Sequence, residues 1–228
     1  MLTIHKITRQ QQAGQRTFPI REALGKKALL SLSTLLASCQ LLPEPSDFWR
    51  TTIGGDWHRP SLTLLPLTGF QQTTDYTCGP AAVKTLLRYY DQDAEEMTLA
   101  KEMDTTEALG THPAKMADWL NHHGFKVTWG EGGSLAMLRT NLSQAIPTLV
   151  EWNDWGGHWV VVVGYDDRGT DKIDDDVIIF ADPSDTYDDN PDGITWFSAE
   201  RFNAMWFEAR WLNPPMERLY LTATPESP

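Results

Sequence analysis

The order of patterns along this chain predicts an α+β fold, a helical half packed on a mostly antiparallel sheet. Between residues 78 and 123 apolar side chains recur at helical spacing. From 125 onward they gather in strand-length runs rich in Val, Ile, Phe and Trp. Helices first and strands later point to segregated layers rather than to alternating βαβ units. A hydrophobic fraction of 41% with ten tryptophans in 228 residues supplies a sizeable core.

Residues 39–64 read as a Pro-containing tether and lead-in, the stretch 54–70 being irregular or strand-like, and residues 65–228 as one domain. The first helix is expected over 78–90, where Val83, Leu86, Leu87 and Tyr90 form an apolar stripe. Pro80 falls in its first turn, where a missing N–H costs nothing. A second helix follows over 94–103. A third occupies 113–123, opened by Thr111 as N-cap and closed by Gly124. Residues 125–129 form a strand and 134–145 a further helix, capped by Ser134. The runs 146–152, 158–165, 177–181 and 219–223 complete the sheet. Residues 153–157 are a hairpin-length connection, and 194–197 a short strand after a polar turn.

Chemistry enters at Cys78, one of two cysteines, where the polar segment QQTTDYTC runs into the first helix. Unpaired amides and the macrodipole at a helix N-terminus favour negative charge, and the thiolate is a thiol's nucleophilic form. A lone cysteine is ordinarily a small core filler, but such a residue lies inside an apolar run rather than at a polar boundary. His158 opens the run HWVVVVGY 80 residues on. Alone it reads as a core or hydrogen-bonded histidine, and beside Cys78 as a general base. Asp182 ends the run VIIFA before Pro183, either as a turn-making acid or as the group that orients the histidine. Gln72, six residues ahead of Cys78, is near enough along the loop to aim an amide donor at the same place.

Gln72, the run from Asp75 to Ala82 (DYTCGPAA), His158-Trp159 with Gly164-Tyr165, and Asp182-Pro183 together resemble the bacteriocin-processing (double-glycine) peptidases. These are papain-like cysteine peptidases, family thirty-nine of the cysteine peptidases, and the likeness is strongest to their stand-alone, single-domain forms. It covers roughly residues 65–221. The resemblance implies a papain-like fold with the active site between the two layers. It further implies Cys78 as nucleophile, His158 as base, Asp182 as its orienter, and an oxyanion hole from the Gln72 side chain and the Cys78 N–H. A peptide or protein substrate, small residues before the scissile bond and no cofactor are also implied. Because the acidic insert 166–176 separates His158 from Asp182 by 24 residues, Asp166 and Asp167 stay open as alternative orienters. The same thiol would serve a cell-wall amidase or a transacylase, and a decayed site would leave a peptidase-like binding module.

At the N-terminus, Lys26-Lys27 precede an apolar run that ends in Leu36-Ala37-Ser38-Cys39. Basic residues, a core of about ten apolar residues and small residues before the cut fit a secretory signal over 1–38. The run is too short to span a bilayer. Its last four residues resemble the bacterial lipobox, which implies lipidation of Cys39 and an exported protein whose only membrane attachment is that lipid. The resemblance to bacterial lipoproteins further implies, from Gln40 in place of Asp after the lipid site, the outer membrane of the cell envelope over the inner. Cys78 is then the one free thiol, so no disulfide can form in the mature chain.

Charge excludes some partners. The chain carries 19 basic and 31 acidic residues, and removing 1–38 leaves 13 and 30, a net charge of −17. That disfavours nucleic acid and anionic lipid surfaces. The acidic run 166–176 reads as a solvated loop. Asp188, Asn190, Asp192 and Gly193 imitate the start of a calcium loop, but its twelfth position is Ala199, and a polar turn fits better. His122 and His123 suit a helix C-terminus, and neither they nor His112 have metal-ligand spacing with Cys78. Trp155 and Trp159 flank His158 and would wall a cleft.

Overall fold

The computed structural model describes residues 60–154, 156–186, 192–207 and 215–226. The expected signal with Cys39, almost all of the tether, Trp155, Asp188 and Asn190 lie outside the described residues.

Seven described strands form one antiparallel sheet: β1 (Leu62–Leu64), β2 (Phe125–Gly130), β3 (Thr148–Trp152), β4 (His158–Asp166), β5 (Val177–Ala181), β6 (Ile194–Ser198) and β7 (Tyr220–Pro225). Their order is β2-β7-β3-β4-β5-β6, and β1 joins β4 beyond the end of β3. The helices are α1 (Cys78–Tyr89), α2 (Glu96–Glu102), α3 (Pro113–His122), α4 (Leu135–Ser143) and α5 (Ala199–Met205). Three of them, α1 to α3, precede every strand but β1, so the segregated α+β layout expected from pattern is the observed one.

α1 lies against β4 with Val83, Leu86 and Leu87 buried, while Arg88 faces out. Burying three such side chains contributes several kcal/mol, on the order of 1.5–3 each, which is why a twelve-residue helix holds. β3 and β5 are buried along their whole length. On β3, Trp152 meets Phe180, Phe197 and Phe202 at ring separations of 4.9–5.8 Å.

Several local details differ from expectation. The N-cap of α3 is His112, whose Nδ1 accepts from the Ala114 N–H, because Pro113 occupies the first helical position. Thr111 is instead buried, with its hydroxyl paired to that of Thr105. α2 begins at Glu96 because the Glu95 carboxylate takes the Met97 and Thr98 N–H groups. Leu62–Leu64, in the lead-in read as irregular or strand-like, pairs with β4 as β1. The insert 166–176 is not solvated throughout. Asp166 and Asp176 at its two ends are buried, and Ile173–Asp175 makes a 3-10 turn. Tyr165 Oη donates to Asp176, and the Arg168 N–H to Asp166, which repays the burial of both acids. α5 was not expected. It is seven residues long, and its stability comes from Phe202 in the aromatic cluster and a Ser198 cap rather than from local propensity.

Candidate active site

Cys78 is the first residue of α1, and Thr77 at the cap position makes no side-chain capping bond. Among the described residues no side chain caps the Cys78 and Gly79 N–H groups at this helix end, and Pro80 has none to offer. A Cβ on Gly79 would lie 2.6 Å from Thr111 Oγ1, so only glycine lets the helix start approach that segment. The Thr111 carbonyl in turn accepts from Trp159 Nε1 at 3.2 Å. That bond ties the helical layer to the residue next to His158, and Cys78 and His158 come to line one cleft of about 450 Å³.

His158 begins β4 and Asp182 follows the last residue of β5. His158 Nε2 meets Asp182 Oδ1 at 2.7 Å, which leaves Nδ1 as the nitrogen available to Cys78 in the cleft that both residues line. Sheet register explains the meeting. β4 pairs Val162 with Phe180 but Gly164 with Ile179, so Val163 is a bulge, and its carbonyl is taken by the Leu65 N–H. Carried one step past the pair Val161–Ala181, this register sets Asp182 opposite Val160, on the face that His158 shares. Without the extra residue Asp182 would stand opposite Val161, on the other face.

Electrostatics follow from this geometry. Burial by itself would pull the imidazole down. Hydrogen bonds to Asp182 and Cys78, together with their charges, outweigh it and push His158 up to about 10. Burial likewise acts to raise Asp182. The bond and charge of His158, with the Ser184 N–H and the Thr195 hydroxyl, hold its carboxyl below the usual range.

Gln72 lines the same cleft. Its Nε2 donates one proton to the Thr74 carbonyl at 2.7 Å, and an amide nitrogen has a second to give. The Gln72 N–H also donates to the Pro183 carbonyl, one residue past Asp182. Next to it, the Gln71 side chain donates to the Asp182 carbonyl and accepts the Asp185 N–H. Gly69 completes this seam, since a Cβ there would lie 2.4 Å from the Asp182 carbonyl oxygen.

Four expected residues, Gln72, Cys78, His158 and Asp182, thus surround one cleft. Asp166 and Asp167 do not join them. They stand at and beyond the far end of β4, roughly 25 Å from His158 at about 3.3 Å per residue, where Asp167 pairs with Arg139 and Asp166 with Arg168. Trp159 lines a second, smaller hollow of about 140 Å³ on another side of Cys78, with Leu109 and Glu151. The stacking of His123 on Trp119 and the Nδ1 bonds of His122 and His123 to Asp118 and Trp119 carbonyls occupy the helix end, apart from the cleft. Among the described residues no three His, Cys, Asp or Glu side chains are grouped so as to hold a metal ion. Sequence reading passed over Thr195, Gln71 and Ser184, which bind Asp182. Thr195 sits in an ordinary β-forming run, and the adjacency of Gln71 to Gln72 was the one available signal.

Residues 65–212 match the model of the Peptidase_C39 like family. Among solved structures, the peptidase domain of Streptococcus ComA, a bi-functional ABC transporter involved in a quorum sensing pathway, matches with a TM-score of 0.52 at 18% identity. The match covers 70% of this chain and 99% of that one. A C39-like peptidase from Bacillus anthracis matches with a TM-score of 0.53 at 15% identity, over 73% of this chain and 99% of that one. At these identities the likeness is one of fold, the papain-like arrangement of helices on an antiparallel sheet. No curated protein matches the chain.

Proposed function

Since this chain belongs to the Peptidase_C39 like family, we propose that it is an exported, lipid-anchored cysteine peptidase acting on a peptide or protein in the cell envelope. The observation that carries the reading is His158 bonded to Asp182 at the wall of an open cleft that Cys78 also lines. Cys78 is the nucleophile, His158 the acid and base, and Asp182 the orienter of the imidazole. The thiolate attacks the carbonyl carbon of the scissile amide. The uncapped Cys78 N–H and the second Gln72 amide proton receive the developing oxyanion, a term worth roughly 10²–10³ in kcat per donor. The imidazolium protonates the leaving amine. Water, deprotonated by His158, then cleaves the thioester and frees the thiol. Lipidation of Cys39, with Gln40 after it favouring the outer membrane, would keep the domain at the envelope.

The test is iodoacetamide alkylation of Cys78 as a function of pH, on the full chain carrying Cys39→Ser so that one thiol remains. Fast modification well below the ordinary thiol range of about 8.5, abolished by His158→Ala, is the expected result. A rate that merely follows a free thiol, with or without His158, overturns the catalytic reading in favour of a binding module. Product analysis with peptides against peptidoglycan fragments then separates a peptidase from a cell-wall amidase or transacylase.

A further inference from the structure

Asp182 has two carboxylate oxygens. Oδ1 accepts from His158 Nε2 at 2.7 Å and from the Ser184 N–H at 2.8 Å. Oδ2 accepts from Thr195 Oγ1 at 2.8 Å, and that donor belongs to a different strand, β6. Thr195 is 3% exposed and shares its strand face with buried Phe197, while Trp196 between them turns to the outside. A hydroxyl at such a position costs free energy unless it is hydrogen-bonded, and a Val or Ile would serve packing better. Its bond goes to the one oxygen of Asp182 that His158 does not use.

We propose that Thr195 is a positioning residue for the reaction: its hydroxyl locks the Asp182 carboxylate so that Oδ1 faces the imidazole. The inference rests on the reading that His158 acts with Asp182. A carboxylate turns about its last bond in a broad torsional well, and the Ser184 N–H restrains Oδ1 alone. With Oδ2 tethered to β6, the plane of the group is held at both ends. Donation to Oδ2 also favours the ionised acid against its burial. The titratable groups that share the cleft with this carboxylate are His158 from β4 and Cys78 from α1, while Asp185 from its own loop accepts the Gly193 N–H. Asp75 and Asp154 line the same cleft.

The test compares Thr195→Val, which keeps shape and strand preference, with Thr195→Ser, which keeps the hydroxyl. Both are made in the full chain with Cys39→Ser. Two quantities are read: the iodoacetamide rate at Cys78 across pH, and the titration midpoint of the His158 ring by NMR. Thr195→Val is expected to lower the His158 midpoint by a unit or more and slow alkylation near neutral pH by roughly ten-fold, the scale of a lost bond to a charged group. Thr195→Ser is expected to stay within about two-fold of the parent, a packing role being what would separate the two hydroxyls. The proposal is overturned if Thr195→Val leaves both readouts at parental values, or if Thr195→Ser falls with it. A parent whose Cys78 is unreactive at every pH below the ordinary thiol range would sink the catalytic reading. The His158 midpoint would still decide whether Thr195 positions Asp182.

Discussion

The two ends of β4 each hold a buried acid against a ring, and they are used differently. At one end Asp182 meets His158, and the pair opens onto a cleft that Cys78 also lines. At the other, Asp176 meets Tyr165 Oη, and Asp166 is bound by Arg168 beside it. Burial first, and then Asp176, push the Tyr165 hydroxyl up from its ordinary value, so a perturbed group stands at both ends. Perturbation therefore does not distinguish them. The difference is access and company. The His158 end faces a cleft and a thiol, whereas the Tyr165 end repays the burial of a loop's anchor residues.

That contrast can be tested from its largest consequence downward. His158→Ala should reduce peptide turnover by at least about 10³-fold, as loss of a triad base does, measured by product formation. The same residue should shape stability. Its folded value of about 10 lies above the ordinary 6.5, so its contribution is complete below 6.5 and is lost as pH rises to 10. Asp182 lies below its ordinary 3.8, so its contribution is present above 3.8 and is lost as pH falls through its lowered value. Urea unfolding of parent against His158→Ala should differ most between pH 3.8 and 6.5, and the difference should narrow as pH rises to 10.

Gly69→Ala comes next. Its Cβ would meet the Asp182 backbone at 2.4–2.7 Å, and Gly193, at φ +78°, presses on the same point with no side chain to yield. The expected cost is about 1–3 kcal/mol, with slower Cys78 alkylation because Asp182 must shift. Tyr165→Phe should cost a similar 1–3 kcal/mol by leaving Asp176 without its donor, yet leave the alkylation profile unchanged. A slowed profile would show the two ends to be coupled. Asp167→Asn breaks a partly exposed pair with Arg139 and should change stability by less than about 1 kcal/mol and reactivity not at all.

Legibility in the sequence was uneven for physical reasons. α1, α4 with its Ser134 cap, β2 and β5 were readable because stripe, cap and strand run are local properties. The N-cap of α3 was placed one residue early, since Thr111 and His112 both precede Pro113 and tertiary packing had claimed the threonine hydroxyl. α5 was missed because seven residues carry too little periodicity, and its anchor, Phe202, packs on strands distant in sequence. The acidic insert looked solvated by composition. Two of its acids are buried because Tyr165 and Arg168 could reach them, which no charge count reveals. Of the cleft residues, Gln72, Cys78, His158 and Asp182 stood out by type and order, and Thr195 did not.

By itself the sequence determined that a cysteine begins a helix with free amides, that a histidine begins a buried strand, and that acids lie within reach along the chain. Each of these depends on interactions across a few residues. Which acid meets the histidine was decided only in the tertiary structure. The bulge at Val163 shifts the pairing of β4 with β5 by one residue and turns Asp182 to the face of His158, while Asp166, nearer in sequence, is carried a strand's length away. Strand alternation has a period of two, so a single residue of register decides the face, and that register is set by contacts between segments far apart in the chain.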